Sequence, residues 1–286
     1  MHLLTNTIEK NKHQLLSLLL LTCAMAFSLP ALGADTDAEI SGEVNTVFAA
    51  DITPALMPYH ATYQARFGSI SGRANIELKL DPETRTYTYY SVTKPKGIAK
   101  LMGKIREWTI FQTSDVQVIP QEYVHKSRDQ QHIRYNWKTK LAESNADGNV
   151  KNLELSGNEY DLLSLQMQLM LDAKHAQLKS SYSVIKDNEV KAYQVTGLGE
   201  EKIELMQQTL NAIKLKQQRA GSSRHMLMWL APELDYAVVK MQQYKGETLR
   251  ATLDMTAYKA KPLVVKTLES GGSEQSKKSV REKLNY

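Results

Sequence analysis

The feature that most limits the fold of this chain is a period of two running through its body. Successive side chains of a β-strand point to opposite faces, so alternating polar and apolar residues mark a strand with one buried side. His60 to Phe67 alternates in this way and gathers Ala61, Tyr63, Ala65 and Phe67 on one face. Asn75 to Leu80 does the same with Ile76, Leu78 and Leu80, and Asp81-Pro82-Glu83 then reads as a turn. Thr86 to Val92 is β-branched and aromatic; Tyr89 and Tyr90 are adjacent, so one of them must point away from the core. Ile133, Tyr135 and Trp137 alternate with polar residues, and Asp147-Gly148 follows as a hairpin signal. Tyr182 to Ile185 and Lys191 to Val195 flank a second hairpin at Asp187-Asn188. Further strands fit Leu210 to Lys216, Arg224 to Leu230, Tyr236 to Tyr244 and Thr248 to Met255, the last two joined at Lys245-Gly246. The expectation is a mainly β protein. Its single curved antiparallel meander, over residues 58–265, closes into a barrel-like or half-barrel domain.

Two segments break the period. Tyr160 to Ala173 carries Leu162, Leu165, Leu169 and Met170 at helical spacing, with Leu163 and Met167 beside them. It predicts a buried helix over about 159–173, with Asn158 as N-cap and Asp161 three residues on. Lys94 to Arg106 places Ile98, Leu101, Met102 and Ile105 on one face and Lys96, Lys100 and Lys104 elsewhere. It predicts a short amphipathic helix at about 97–105, weakened by Gly97 and Gly103.

The ends speak to location. Lys10 and Lys12 precede the uncharged run Leu15 to Leu29, followed by Pro30 and the small-residue stretch 31–34. That pattern reads as a secretory signal peptide over 1–33, cleaved after Gly33 or Ala34, with a site at Ala24-Met25-Ala26 as the alternative. The run is short for a retained anchor. A lipoprotein reading would use Cys23, but Thr22 is bulky where such signals carry a small residue. Cys23 is the only cysteine of the 286 residues, so the mature protein has no disulfide and no thiolate metal site. Residues 34–57 read as a flexible acidic leader and 266–286 as a disordered charged tail. The net charge is +5, and because the leader carries −5 the body is distinctly basic. A soluble periplasmic protein with anionic neighbours follows, and nucleic acid is a poor partner for it.

The chemistry is sparse. His60, His125, His132, His175 and His225 show no metal-ligand spacing, and no cofactor motif is present. His125 and His132, near Arg128, Asp129 and Arg134, form the one charged cluster holding an imidazole. Ser164 lacks a nucleophile elbow, Gly197-Leu198-Gly199 reads as a turn, and Glu107 and Glu204 are carboxylates on predicted strands. The catalytic residues, if any, are unknown from sequence. Tyr63, Phe67, Tyr87, Trp108, Tyr135, Trp137 and Trp229 are candidates to line an apolar pocket, or to fill a core. Lys96, Ile98, Lys100, Leu101 and Lys104 are candidates to touch an anionic membrane or to lid the barrel.

The order of several short motifs resembles the bacterial exported family catalogued as domain of unknown function 3108. These motifs are 63–72 (YQARFGSISG), 97–101 (GIAKL), 119–123 (IPQEY), 161–164 (DLLS), 228–231 (MWLA) and 236–240 (YAVVK). Where that family carries proline in the last motif, this chain has Ala237. The resemblance covers about 58–258 and implies a signal peptide and one curved antiparallel β domain; it implies no activity. The functional expectation is a non-enzymatic protein that binds or carries an apolar or amphiphilic envelope ligand, such as a lipid or glycan. An enzyme acting on envelope glycan and a structural or partner-binding module are the alternatives.

Overall fold

The computed structural model describes residues 53–97 and 103–261. The expected signal peptide, residues 34–52 of the leader, residues 98–102 and the tail beyond 261 lie outside the described residues.

The first arm of the chain comprises β1 (Tyr59–Phe67), β2 (Ile70–Asp81), β3 (Thr86–Pro95), β4 (Ile105–Thr113), β5 (Val118–Lys126), β6 (Gln130–Asn136), β7 (Leu141–Ala146) and β8 (Asn149–Glu154). A two-residue β9 (Glu159–Tyr160) and helix α1 (Leu162–Lys174) follow. The second arm is β10 (Ser181–Lys186), β11 (Glu189–Leu205), β12 (Gln208–Arg219), β13 (Arg224–Ala231), β14 (Ala237–Lys245) and β15 (Thr248–Ala260). All fifteen strands lie in one sheet, ordered β8 to β1, then β15 down to β9. Pairing of β1 with β15 joins the two meandering arms, and only β9 with β10 is parallel. The outermost strands, β8 and β9, do not pair, so the sheet curls into a half-barrel without closing. Strand twist supplies the curl, helped by bulges at Thr62/Tyr63, Ile110/Phe111 and Trp229/Leu230.

The period of two is obeyed. Ala61, Tyr63 and Ala65 of β1 and Ile76 and Leu78 of β2 are buried, while Phe67 and Leu80 are only half-buried. Tyr89 points inward, and Tyr90 points outward against Trp108. The Asp81 carboxylate accepts from Glu83 N–H at 3.0 Å, closing the expected Asx-turn. Asp147-Gly148 and Asp187-Asn188 both have positive φ, as two-residue hairpin turns require.

Alternate turns of a meander fall at opposite ends. Turns 82–85, 114–117, 137–140, 206–207 and 232–236 lie at one end, and 68–69, 127–129, 147–148, 187–188, 220–223 and 246–247, with the described ends 96–97 and 103–104 of the β3–β4 connection, at the other. Helix α1 plugs the first of these. Its C-terminal Lys174 ammonium donates to Asp235 at 2.7 Å and to the Ala55 carbonyl, and Gln168 joins the Val116 carbonyl and the Val118 N–H. Leu163, Leu165, Met167, Leu169, Met170 and Leu171 are buried, each worth about 1.5–3 kcal/mol relative to exposure. Tyr87 stacks on Phe111 at 5.1 Å to complete this closed end.

Several expectations are corrected. The N-cap of α1 is Asp161, not Asn158, and the helix starts at Leu162: Asp161 receives Leu163 N–H and Ser164 N–H while Ser164 Oγ receives Asp161 N–H. The reciprocal bonding of the Asp161–Ser164 pair holds the cap there, and Glu159-Tyr160 are already committed to β9. At the basic segment, β3 continues through Lys94 and Pro95, and Ile105 and Arg106 belong to β4, with Ile105 buried opposite Thr93. The leader does not run loose to residue 57. Leu56 is fully buried, its N–H reaching Tyr87 Oη, and Met57 N–H donates to Asp235 at 2.7 Å. Gly197-Leu198-Gly199 is no turn; it is a bulge inside the long β11, where Gly199 takes a positive φ.

Candidate functional site

Among the described residues, nothing fills the end of the half-barrel opposite the plug. Helix α1 begins midway along the barrel, where Asp161 accepts from Thr109 of β4 at 2.9 Å. Beyond it lies a cavity of about 380 Å³, open toward the turns of that end. A second space of about 150 Å³ continues it, sharing Ser91, Thr93, Glu107, Leu163, Gln166, Met226 and Met241. Both volumes fall on the inward face of the sheet. Leu162 and Leu163 floor the cavity from the first turn of α1. Met226 and Met228 of β13, alternating with outward residues, reach in from one wall with Met241, which pairs with Met228. Methionine is flexible and polarisable, suited to an apolar wall that adapts to its guest.

The facing wall is polar. Glu107 of β4 pairs with His125 of β5, and Thr109 with Tyr123, so all four side chains share the inward face. Glu107 Oε1 receives the Tyr123 hydroxyl and lies 3.3 Å from His125 Nδ1. His125 Nε2 lies 2.7 Å from Ser127 Oγ. Because Ser127 donates its own proton to the Asp129 carbonyl at 2.8 Å, it can only accept from the imidazole. Both ring nitrogens therefore face acceptors, which favours the imidazolium. Burial opposes that charge, but the bond and the field of Glu107 win and raise the His125 pKa. Burial likewise pushes Glu107 up, and His125, Tyr123 and Lys186 overcome it, holding the carboxyl below its ordinary value. Burial and the Glu107 charge push the Tyr123 phenol well up.

Glu107, His125 and Ser127 have the connectivity of an acyl-transfer triad, but not its chemistry. Ser127 is buried, its proton is engaged with a backbone carbonyl, and the imidazole has no free lone pair to act as base. The arrangement is a fixed ion pair. Lys186 of β10 completes the polar side; desolvation lowers its pKa. An outer concavity of about 520 Å³ adjoins through His125, Gln130, Gln131 and Asp147, with a largely polar and charged lining.

None of the seven aromatic candidates lines the cavity. Tyr63 and Tyr87 are core, Tyr63 donating to the Val238 carbonyl at 2.7 Å. Tyr135 is core and stacks on Trp137 at 5.6 Å, whose indole N–H reaches the Pro120 carbonyl. Phe67 borders only a shallow dimple at the rim. Trp108 is on the outer face beneath Lys126. Trp229 lies on the face of β13 opposite Met228, clasped by Lys214 and Lys240 at 4.9 Å each and bonded to Glu201. Of the basic candidates, Lys96 and Lys104 are exposed where the 96–104 connection leaves and rejoins the open end. Ile98, Lys100 and Leu101 lie outside the described residues.

His132 faces outward and bonds Glu122 at 2.7 Å, so it does not join His125. Arg134 pairs with Glu143 on the surface. Glu204 bonds Thr209 at the far hairpin of β11 and β12 and is not brought to Glu107. Among the described residues no cluster of His, Cys, Asp or Glu is placed to hold a metal ion. The residues missed by sequence reasoning are Met241, Leu163, Gln166, Tyr123 and Lys186; their strand or helix parity was readable, but not the half of the barrel they would share.

A family model described as "Protein of unknown function (DUF3108)" matches residues 58–254. No curated protein matches the chain. Among solved structures it is similar to a beta-barrel-like protein of domain of unknown function DUF1849 from Brucella abortus. The two are 11% identical, with a TM-score of 0.49, covering 72% of this chain and 98% of that one. A protein described as exported, with a YmcC-like fold, from Bacteroides fragilis is 9% identical at a TM-score of 0.35, covering 71% and 98%. One described as a lipoprotein from Parabacteroides distasonis is 11% identical at a TM-score of 0.30, covering 72% and 97%.

Proposed function

We propose that this chain, which belongs to the DUF3108 family, is a periplasmic carrier that holds one amphiphilic envelope ligand in the open end of its half-barrel and does not convert it. The observation that carries the reading is the unfilled cavity between a methionine and leucine wall and the polar Glu107–His125 wall. A volume of about 380 Å³ with one apolar side and a few convergent polar groups has the character of a small-molecule site. The committed protons of His125 and Ser127 favour binding over catalysis. The signal-peptide pattern of residues 1–33 supports export. Exposed Lys96 and Lys104 flank the mouth, so this end would face an anionic bilayer when ligand is exchanged.

Native mass spectrometry of the protein isolated from the envelope tests the reading. An adduct of amphiphile mass is expected, and Met241→Trp, which fills the cavity, should remove it while the protein stays folded. Equal loading of the tryptophan variant would overturn the assignment.

A further inference from the structure

The cavity is not neutral in its demands. Most of the charged groups around it are already held by protein partners. His125 lies between Glu107 and Ser127, and the Asp129 charge adds to its support. On the rim, Asp147 accepts the Gln130 N–H, and Asp187 pairs with Lys191 at 3.2 Å. Lys186, on the inward face at the end of β10, has no hydrogen bond and no ion pair among the described residues, although it lines the cavity opposite the methionines. Lys186 is half-buried, and desolvation outweighs the fields of Asp187 and Glu107 that support its charge, so a cation here gains from an anion brought into direct contact.

We propose that Lys186 seats an anionic head group, a carboxylate or a phosphate, of a ligand whose aliphatic part lies on Met226, Met228 and Met241. The inference rests on the carrier reading and names the chemical class of its ligand. Glu107 Oε2 has no hydrogen-bond partner among the described residues, because Tyr123 and His125 both use Oε1. It offers an acceptor to a hydroxyl or amide N–H of the same ligand. Desolvation already lowers the Lys186 pKa, and an anion bound beside it restores the charged form.

The test is titration calorimetry of the delipidated mature protein with four probes of one chain length: decanoate, decyl phosphate, decanol and decylammonium. The two acids are expected to bind at least about tenfold tighter than decanol, as a charge-assisted hydrogen bond provides; whichever acid is tighter identifies the head group. Lys186→Met should erase the preference, so that acid and alcohol bind alike, and Lys186→Arg should keep it. Equal binding of acid and alcohol by the parent, or tightest binding of decylammonium, overturns the anion seat and leaves the carrier reading standing. An unchanged preference in Lys186→Met overturns the assignment to Lys186. Failure of all four probes to bind overturns the carrier reading and this inference with it.

Discussion

Replacing Asp161 by Asn should abolish a pH dependence that the parent protein carries in its helix cap. Asp161 is fully buried, and its two oxygens accept Leu163 N–H, Ser164 N–H, Ser164 Oγ–H and Thr109 Oγ–H. Burial raises the carboxyl to about 6 against the pull of those bonds, from an ordinary 3.8. An acid raised in the folded state holds a proton that the unfolded state has already lost. The site's contribution to stability is therefore greatest below about pH 4, falls as pH rises to about 6, and is flat beyond. At roughly 1.4 kcal/mol per pH unit the fall amounts to roughly 3 kcal/mol. Asparagine keeps the acceptor for the two backbone donors and turns its amide toward the two hydroxyls, which can rotate to accept. Its stability relative to the parent should thus rise by roughly 3 kcal/mol from about pH 4 to pH 7, or about 6–12 °C in melting temperature for a domain of this size. Thermal and urea unfolding of both proteins across that range measures the difference. A difference that does not change with pH would refute the reasoning, whatever its constant offset. Asp161→Ala, which removes both acceptor oxygens and the four hydrogen bonds they receive, should instead be destabilised at every pH.

Glu107→Gln should lower the His125 pKa, because it removes the charge that raises it; the histidine NMR shifts against pH report this, and an unmoved titration would sink the ion-pair assignment. In the parent, the stabilisation from His125 is present below its unfolded pKa and lost as pH climbs through the raised folded value. Lys96→Glu with Lys104→Glu should abolish binding to anionic vesicles and shift stability by less than about 0.5 kcal/mol per site, since both lysines are exposed. Undiminished co-sedimentation would remove the membrane contact from the proposal. Met206→Asn with Gln207→Gly should stabilise the β11–β12 hairpin by about 1 kcal/mol, since both positions already hold φ near +50 to +65°. A lower urea midpoint would show that the native side chains supply something the turn geometry does not reveal.

The sheet was legible in the sequence because period two is local: Ala61, Tyr63 and Ala65 declare a face without reference to any other strand. The plug helix was legible for the same reason, its apolar positions recurring every three or four residues. Its cap was misplaced because Asn158 and Asp161 are both good cap residues, and the choice falls to Ser164 and the distant Thr109. The turn at Met206-Gln207 carries no turn residue; the pairing of β11 and β12 along their lengths imposes the left-handed backbone there. The cavity as a whole was not legible, although Glu107 and His125 of its polar wall stood out as titratable residues. Tyr63, Tyr87 and Tyr135 read as pocket residues because they are large and aromatic, yet bulk is what fills the closed half of a barrel. The residues that leave space are three methionines, two leucines and a lysine from strands and a helix distant in the chain, and alternation cannot say which half of the barrel they line.

The empty half follows from where α1 is prevented from growing. Continuing the helix backward from Leu162 would thrust Tyr160, Glu159 and Asn158 into the open end and fill it. Three interactions forbid this. Asp161 caps the helix in an extended conformation, with φ −90° and ψ 178°, and is itself fastened to β4 through Thr109. Glu159 and Tyr160 are committed to parallel pairing with Ser183 and Val184 of β10. The Glu159 carboxylate is bound by the backbone N–H groups of Ser156, Gly157 and Asn158, a turn that points the chain away from the barrel axis. Burial pushes the Glu159 carboxyl up, but the Ser156 hydroxyl and those backbone bonds outweigh it and hold the acid below its ordinary value. The cavity is thus held open by the same bonds that stop the plug. The closed half, with Leu56, Tyr87, Phe111 and the buried face of α1, retains the tight packing on which stability depends. Substitutions at Met226, Met241 or Lys186 can therefore reshape the lining of the open end at little cost to folding, whereas Thr109 and Asp161, which touch both halves, cannot be altered without affecting each.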